Sequence, residues 1–98
     1  MNASDWRPHQ ANTLRGFFSL HLASGLVLHG CTLHESGQSR WIGLPGTPQL
    51  DADGRQRCDV AGKKLWSPVV AIPDQEVRQR FRLEALAAVD RLLAESRP

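Results

Sequence analysis

Between Gly16 and Pro45 the chain alternates apolar residues with small or polar ones on both sides of two turn signals. It reads Gly-Phe-Phe-Ser-Leu-His-Leu, Ala-Ser-Gly, Leu-Val-Leu-His-Gly-Cys-Thr-Leu-His, Glu-Ser-Gly-Gln-Ser and Arg-Trp-Ile-Gly-Leu-Pro. Alternation with a period of two, broken by Gly and Ser, marks half-buried antiparallel strands. The pattern predicts strands over residues 13–22, 26–34 and 40–44. Pro45 ends the third, because proline has no N–H for a ladder. A two-residue turn at Ser24-Gly25 sets Leu20 opposite His29 and Phe18 opposite Cys31. Phe18, Leu20, Leu22, Val27, Cys31 and Leu33 then form the core face, with Ile42 and Leu44, and His29 turns inward. Phe17, Ser19, His21, Leu28, Gly30, Thr32 and His34 form the other face, with Trp41. That second face is too polar for a core and unusually aromatic for bare surface.

Residues 1–12 contain Pro8 and mostly polar positions, and they read as a flexible leader. Trp6 is its exception and is expected to pack back onto the body. Residues 46–64 form a long polar connection, with Asp53-Gly54 as a turn. Asp51-x-Asp53-Gly54 is similar to the start of a calcium loop, but the remaining ligands and the closing Glu are missing. Leu65–Ile72 reads as a fourth strand on a sheet edge, since Pro68 interrupts it. Asp74 is a suitable N-cap for a helix from Gln75 to Ala94, which contains no Gly or Pro. Its apolar residues, among them Val77, Phe81, Ala85, Leu86, Val89 and Leu93, cover about half the cylinder. The expected architecture is α+β: an antiparallel sheet of four to five strands packed against one long C-terminal helix, with residues 13–98 as a single domain.

Ninety-eight residues with 41% hydrophobic content suit one small globular domain and argue against disorder. No apolar run approaches the roughly 20 residues that span a bilayer. The first residues lack an apolar signal core, so a cytoplasmic protein is expected. Cys31 and Cys58 show no ligand spacing and read as free thiols. The net charge of +2 comes from interspersed charges with no basic block.

Catalytic and metal chemistry find little support. His21, His29 and His34 have no carboxylate placed to orient them. No nucleophile elbow, carboxylate pair or phosphate loop is present, so neither an enzyme nor a bound metal or cofactor is expected. A binding surface is better supported. Phe17, Trp41 and Trp66 project from strands, with Arg15, Arg40, Lys63 and Lys64 near strand ends and Arg55 and Arg57 in the connection. Such rings can stack on bases while cations meet phosphates. The same rings could instead close a second core layer or a dimer interface.

The ordered set Leu28-His29-Gly30, Leu44-Pro45-Gly46, Ala52-Asp53-Gly54 and then a long amphipathic helix resembles the stage V sporulation protein G (SpoVG) family over residues 14–93. Gly30 stands where that family has an acidic residue and Gly46 where it has a serine. The layout of strands followed by one helix is also similar, more loosely, to single-stranded-DNA-binding transcriptional coactivators of the positive-cofactor and Whirly type. Both resemblances imply a small bacterial or phage homodimer that binds nucleic acid, with a regulatory role. Its partner would be single-stranded or duplex DNA, or RNA. The rival is a non-catalytic interaction module without nucleic-acid affinity, whose rings and helix stripe belong to a protein interface.

Overall fold

A computed structural model describes residues 1–95; the last three residues of the expected domain, 96–98, lie outside it. Four antiparallel strands, β1 (Asn2–Ala11), β2 (Leu14–His21), β3 (Val27–Ser36) and β4 (Ser39–Gly43), form one sheet in sequence order. Two three-residue strands, β5 (Gly46–Pro48) and β6 (Trp66–Pro68), pair apart from it. The helix α1 (Gln75–Glu95) follows. The architecture is α+β, with a four-stranded sheet and one C-terminal helix.

The fourth strand of the sheet is not the expected one. Only Trp66–Pro68 of the 65–72 run forms a strand, and it pairs with β5. The place in the sheet is taken by residues 2–11, which the sequence presents as a leader. Their alternation is hidden by a bulge. Asp5 adopts φ 57°, and the pairing with β2 shifts between Ser4 and Arg7. Ala3 and Trp6 therefore both pack against the core, although they are three residues apart. Pro8 is tolerated because β1 is an edge strand. Trp6 does pack inward, with its ring 6.5 Å from that of Phe18. Its far end lies over Gly16, where a Cβ would sit 2.5 Å from the indole.

The β2–β3 register is half as expected. Leu22 donates its N–H to Leu26 (2.8 Å), and Gly25 donates to Leu22 (3.0 Å), with Gly25 at φ 96°. This is a three-residue loop closed by a left-handed glycine, one residue longer than the turn the sequence suggests. It sets His21 opposite Val27 and Leu20 opposite Leu28. A second left-handed glycine, Gly30 at φ 79°, lies in a bulge that restores the expected Phe18–Cys31 pairing. Val27 and Leu28 consequently exchange faces: Leu28 packs on the core and Val27 is exposed. His29 sits in the bulge, exposed rather than inward, with Nδ1 2.9 Å from the buried Ser19 hydroxyl.

The core is small. Phe18, Leu20, Cys31 and Leu33 from the sheet meet Ala85, Ala88 and Val89 of α1. Two alanines allow the helix backbone to approach the strands closely. Burial pushes the Cys31 thiol up to about 11, so it stays protonated and inert. Cys31 and Cys58 are both free. Asp74 caps the helix, accepting the Val77 N–H at 2.9 Å. Only the second half of α1 carries the buried residues. Gln75 to Arg80 are exposed throughout, and Val77 and Leu83 face solvent. The apolar stripe seen in the sequence is thus only partly used by this chain. No described helix is long and apolar enough to cross a membrane.

Candidate nucleic-acid interface

The sheet face opposite α1 collects the aromatic and histidine side chains of alternate positions. Arg7 and Phe17 are paired across β1 and β2, with the guanidinium 5.9 Å from the ring centroid. The His9 ring lies 5.9 Å from the same phenyl ring. Across β3 and β4, His34 and Trp41 are paired and stack at 5.4 Å with an interplanar angle of 3°. Phe17 and Trp66 line one recess of about 440 Å³, together with Leu14, Thr32, His34 and Leu44. The sequence-predicted rings therefore divide. Phe17 and Trp66 share a recess, whereas Trp41 supports His34 from the side.

His34 is held at both nitrogens. Its Nδ1 lies 3.0 Å from the Thr13 hydroxyl and its Nε2 3.0 Å from the Thr32 hydroxyl. Gly43 faces Thr32 in β4, and a Cβ there would overlap the Thr32 hydroxyl. The missing side chain is what leaves room for the Thr32–His34 bond. Burial lowers the His34 pKa below its ordinary 6.5. Above 6.5 the ring is neutral in both folded and unfolded chains. Below it the unfolded ring takes up a proton that the folded ring resists, so folding stability falls with pH. The urea midpoint is expected to drop between about pH 7.5 and pH 5, and to drop less in His34→Asn. An equal drop in that variant would place the acid sensitivity elsewhere.

The sequence-predicted cations divide too. Arg15 is occupied by its own turn: Nη1 donates to the carbonyls of Asn12 (2.9 Å) and Leu14 (3.1 Å), and Nε faces Glu35 at 3.9 Å. Arg40 lies on the helix side, opposite its neighbour Trp41. It donates two hydrogen bonds to Asp90 at 2.8 and 3.4 Å, while its carbonyl accepts Arg82 Nη2 at 2.5 Å. Its Nε has no hydrogen-bond acceptor among the described residues, the Glu35 carboxylate standing 4.0 Å away. Arg40 therefore ties β4 to α1, and the structure does not bring it to the aromatic face. Arg55, Arg57, Lys63 and Lys64 are exposed, and no ion pair engages them among the described residues.

These four cations sit on an arm, residues 46–68, built almost without a core. Gln49 N–H donates to the Leu65 carbonyl (3.0 Å), Leu65 N–H to Arg57 (2.8 Å) and Arg57 N–H to Gln49 (2.7 Å). Three extended backbones thus close a ring of hydrogen bonds. Two tips of the same design project from it. Asp51 Oδ1 accepts the N–H groups of Asp53 (2.9 Å) and Arg55 (3.0 Å). Asp59 Oδ1 accepts those of Ala61 and Lys63, both at 2.9 Å. Each tip continues through a glycine at positive φ, Gly54 or Gly62, to a cation, Arg55 or Lys63. Asp51 is engaged with backbone as a turn former. Among the described residues no group of three or more His, Cys, Asp or Glu is placed to hold a metal.

Sequence reasoning missed Arg7 and His9, because residues 1–12 carried no strand signal. It missed the Thr13–His34–Thr32 contact because Thr13 and His34 lie 21 residues apart and only the fold brings them together. It also missed the repeat Asp-x-x-Gly followed by Arg or Lys, eight residues apart at Asp51 and Asp59. That repeat was visible and would have marked the arm as built rather than loose. No protein-family model, curated protein or solved structure matches the chain.

Proposed function

We propose that the protein is a small cytoplasmic nucleic-acid-binding homodimer with a regulatory role, acting by binding rather than catalysis. The observation that carries this reading is the arm. Four exposed cations without ion-pair partners among the described residues lie on the same segment as Trp66, which shares a recess with Phe17. Rings beside cations suit a strand whose bases stack while its phosphates are neutralised. The resemblance to the SpoVG family supports the same class. The homodimer part rests on α1, whose first turns stand clear of the sheet with Val77 and Leu83 exposed. Scattered exposed apolar residues, Leu26, Val60 and Val69, favour a second reading as a protein-interaction module.

Fluorescence anisotropy with labelled single-stranded DNA, duplex DNA and RNA at several salt concentrations separates the two readings. Counterion release makes log K fall linearly with log salt, by about 0.7 for each phosphate neutralised on a single strand. Four engaged cations therefore predict a slope near about −3. Absence of binding to all three at low salt would overturn the nucleic-acid reading in favour of a protein partner.

A further inference from the structure

We propose that the recess between the sheet and the arm seats one unpaired nucleobase of a single strand, stacked on Phe17 and Trp66 with its edge at the Thr32 hydroxyl. The inference rests on the nucleic-acid reading and specifies its ligand form. A volume of about 440 Å³ lies within the range of small-molecule sites and has a mainly apolar lining. Arg7 flanks Phe17 on one side. On the arm, the exposed Lys64 lies two residues before Trp66, at a bridge paired with Cys58. One cation thus adjoins each ring of the seat, Arg7 in space and Lys64 along the chain, to meet phosphates of the bound strand. A base paired and stacked inside a duplex cannot enter.

The polar wall of the recess explains how such a seat could accept different bases. A neutral imidazole carries one N–H and one bare nitrogen. Of the two hydroxyls bonded to His34, one therefore accepts a hydrogen bond from the ring N–H and the other donates one to the bare nitrogen. If Nε2 carries the hydrogen, Thr32 accepts it and keeps its own O–H for the base. If Nδ1 carries it, Thr32 donates to Nε2 and offers the base only lone pairs. Moving the proton from one ring nitrogen to the other, with both hydroxyls turning, switches Thr32 between donor and acceptor. Base edges carry both kinds of group, so the seat tolerates any of them.

The test compares a labelled oligothymidylate with the same strand made abasic throughout, which keeps every phosphate. The wild-type protein is expected to bind the abasic strand about 5- to 150-fold more weakly, the range for loss of one stacked base. Trp66→Ala, which leaves only Phe17 to stack on, should lose most of this preference while binding the abasic strand as the wild type does. Trp66→Phe, which keeps a π face, should retain the preference. Equal, salt-sensitive binding of both strands by the wild-type protein would overturn the base seat and leave the nucleic-acid reading standing. Full preference in Trp66→Ala would also overturn the seat. Failure to bind either strand at low salt would remove both.

Discussion

Phe18→Ala is expected to lower folding stability by about 3–5 kcal/mol, the cost of emptying a fully buried phenylalanine site. Phe18 has no exposed surface, faces Cys31 across β3 and packs with Trp6. The buried apolar set is Phe18, Leu20, Cys31, Leu33, Ala85, Ala88 and Val89, and only one of these is aromatic. Trp6 would also lose its inner partner, which weakens the packing of the bulged edge strand. Because domains of this kind hold about 5–15 kcal/mol in all, the variant should be partly unfolded at room temperature. Chemical denaturation followed by circular dichroism would read this as a large drop in midpoint. A loss below about 1 kcal/mol would mean that the sheet–helix layer is not what holds the fold.

The second large effect is on binding. Lys63→Ala combined with Lys64→Ala should leave stability within about 0.5 kcal/mol of wild type, because both side chains are exposed and engage no ion pair among the described residues. The backbone bonds from Asp59 to Lys63 survive, since they use only the main-chain N–H of that position. If both ammonium groups meet phosphates of a single strand, the salt slope shrinks by about 1.4. With affinities converging near 1 M salt, that corresponds to about 25-fold weaker binding at 0.1 M. An anisotropy titration would show both changes together. Unchanged affinity and slope would remove these lysines from the interface. A uniform loss without a change in slope would point to a distorted arm instead of lost charge.

The middle of the sheet was legible because its alternation is clean. Phe18, Leu20, Cys31 and Leu33 could be placed inward from spacing alone, and the Asp74 cap and α1 followed from a glycine-free run. The errors within the four-stranded sheet share one physical cause, which is a local break in register. Asp5 breaks the alternation of β1 and disguised a strand as a leader. The three-residue loop at Gly25, together with the bulge at Gly30, exchanged Val27 with Leu28. Both bulges depend on single left-handed residues whose effect is local, so no periodicity reports them. At the candidate site, residue type was enough to nominate Phe17, Trp66 and the arm cations. Arg15 and Arg40 were nominated for the same reason. Their carboxylate neighbours, Glu35 and Asp90, lie 20 and 50 residues away in the chain, and only the fold brings them together.

The closed ring of backbone bonds at Gln49, Arg57 and Leu65 separates what the arm is from what it displays. Its shape is specified by main-chain groups, which every residue except proline supplies in full, by the Gln49 and Gln56 side chains that donate to the Trp66 and Leu65 carbonyls, and by one aspartate and one glycine in each tip. The exposed positions Arg55, Lys63 and Lys64 are left as near-neutral ground for the folding of the arm. Substitution at Arg55, Lys63 or Lys64 can therefore change the charge that the tips display without revisiting the folding of the body.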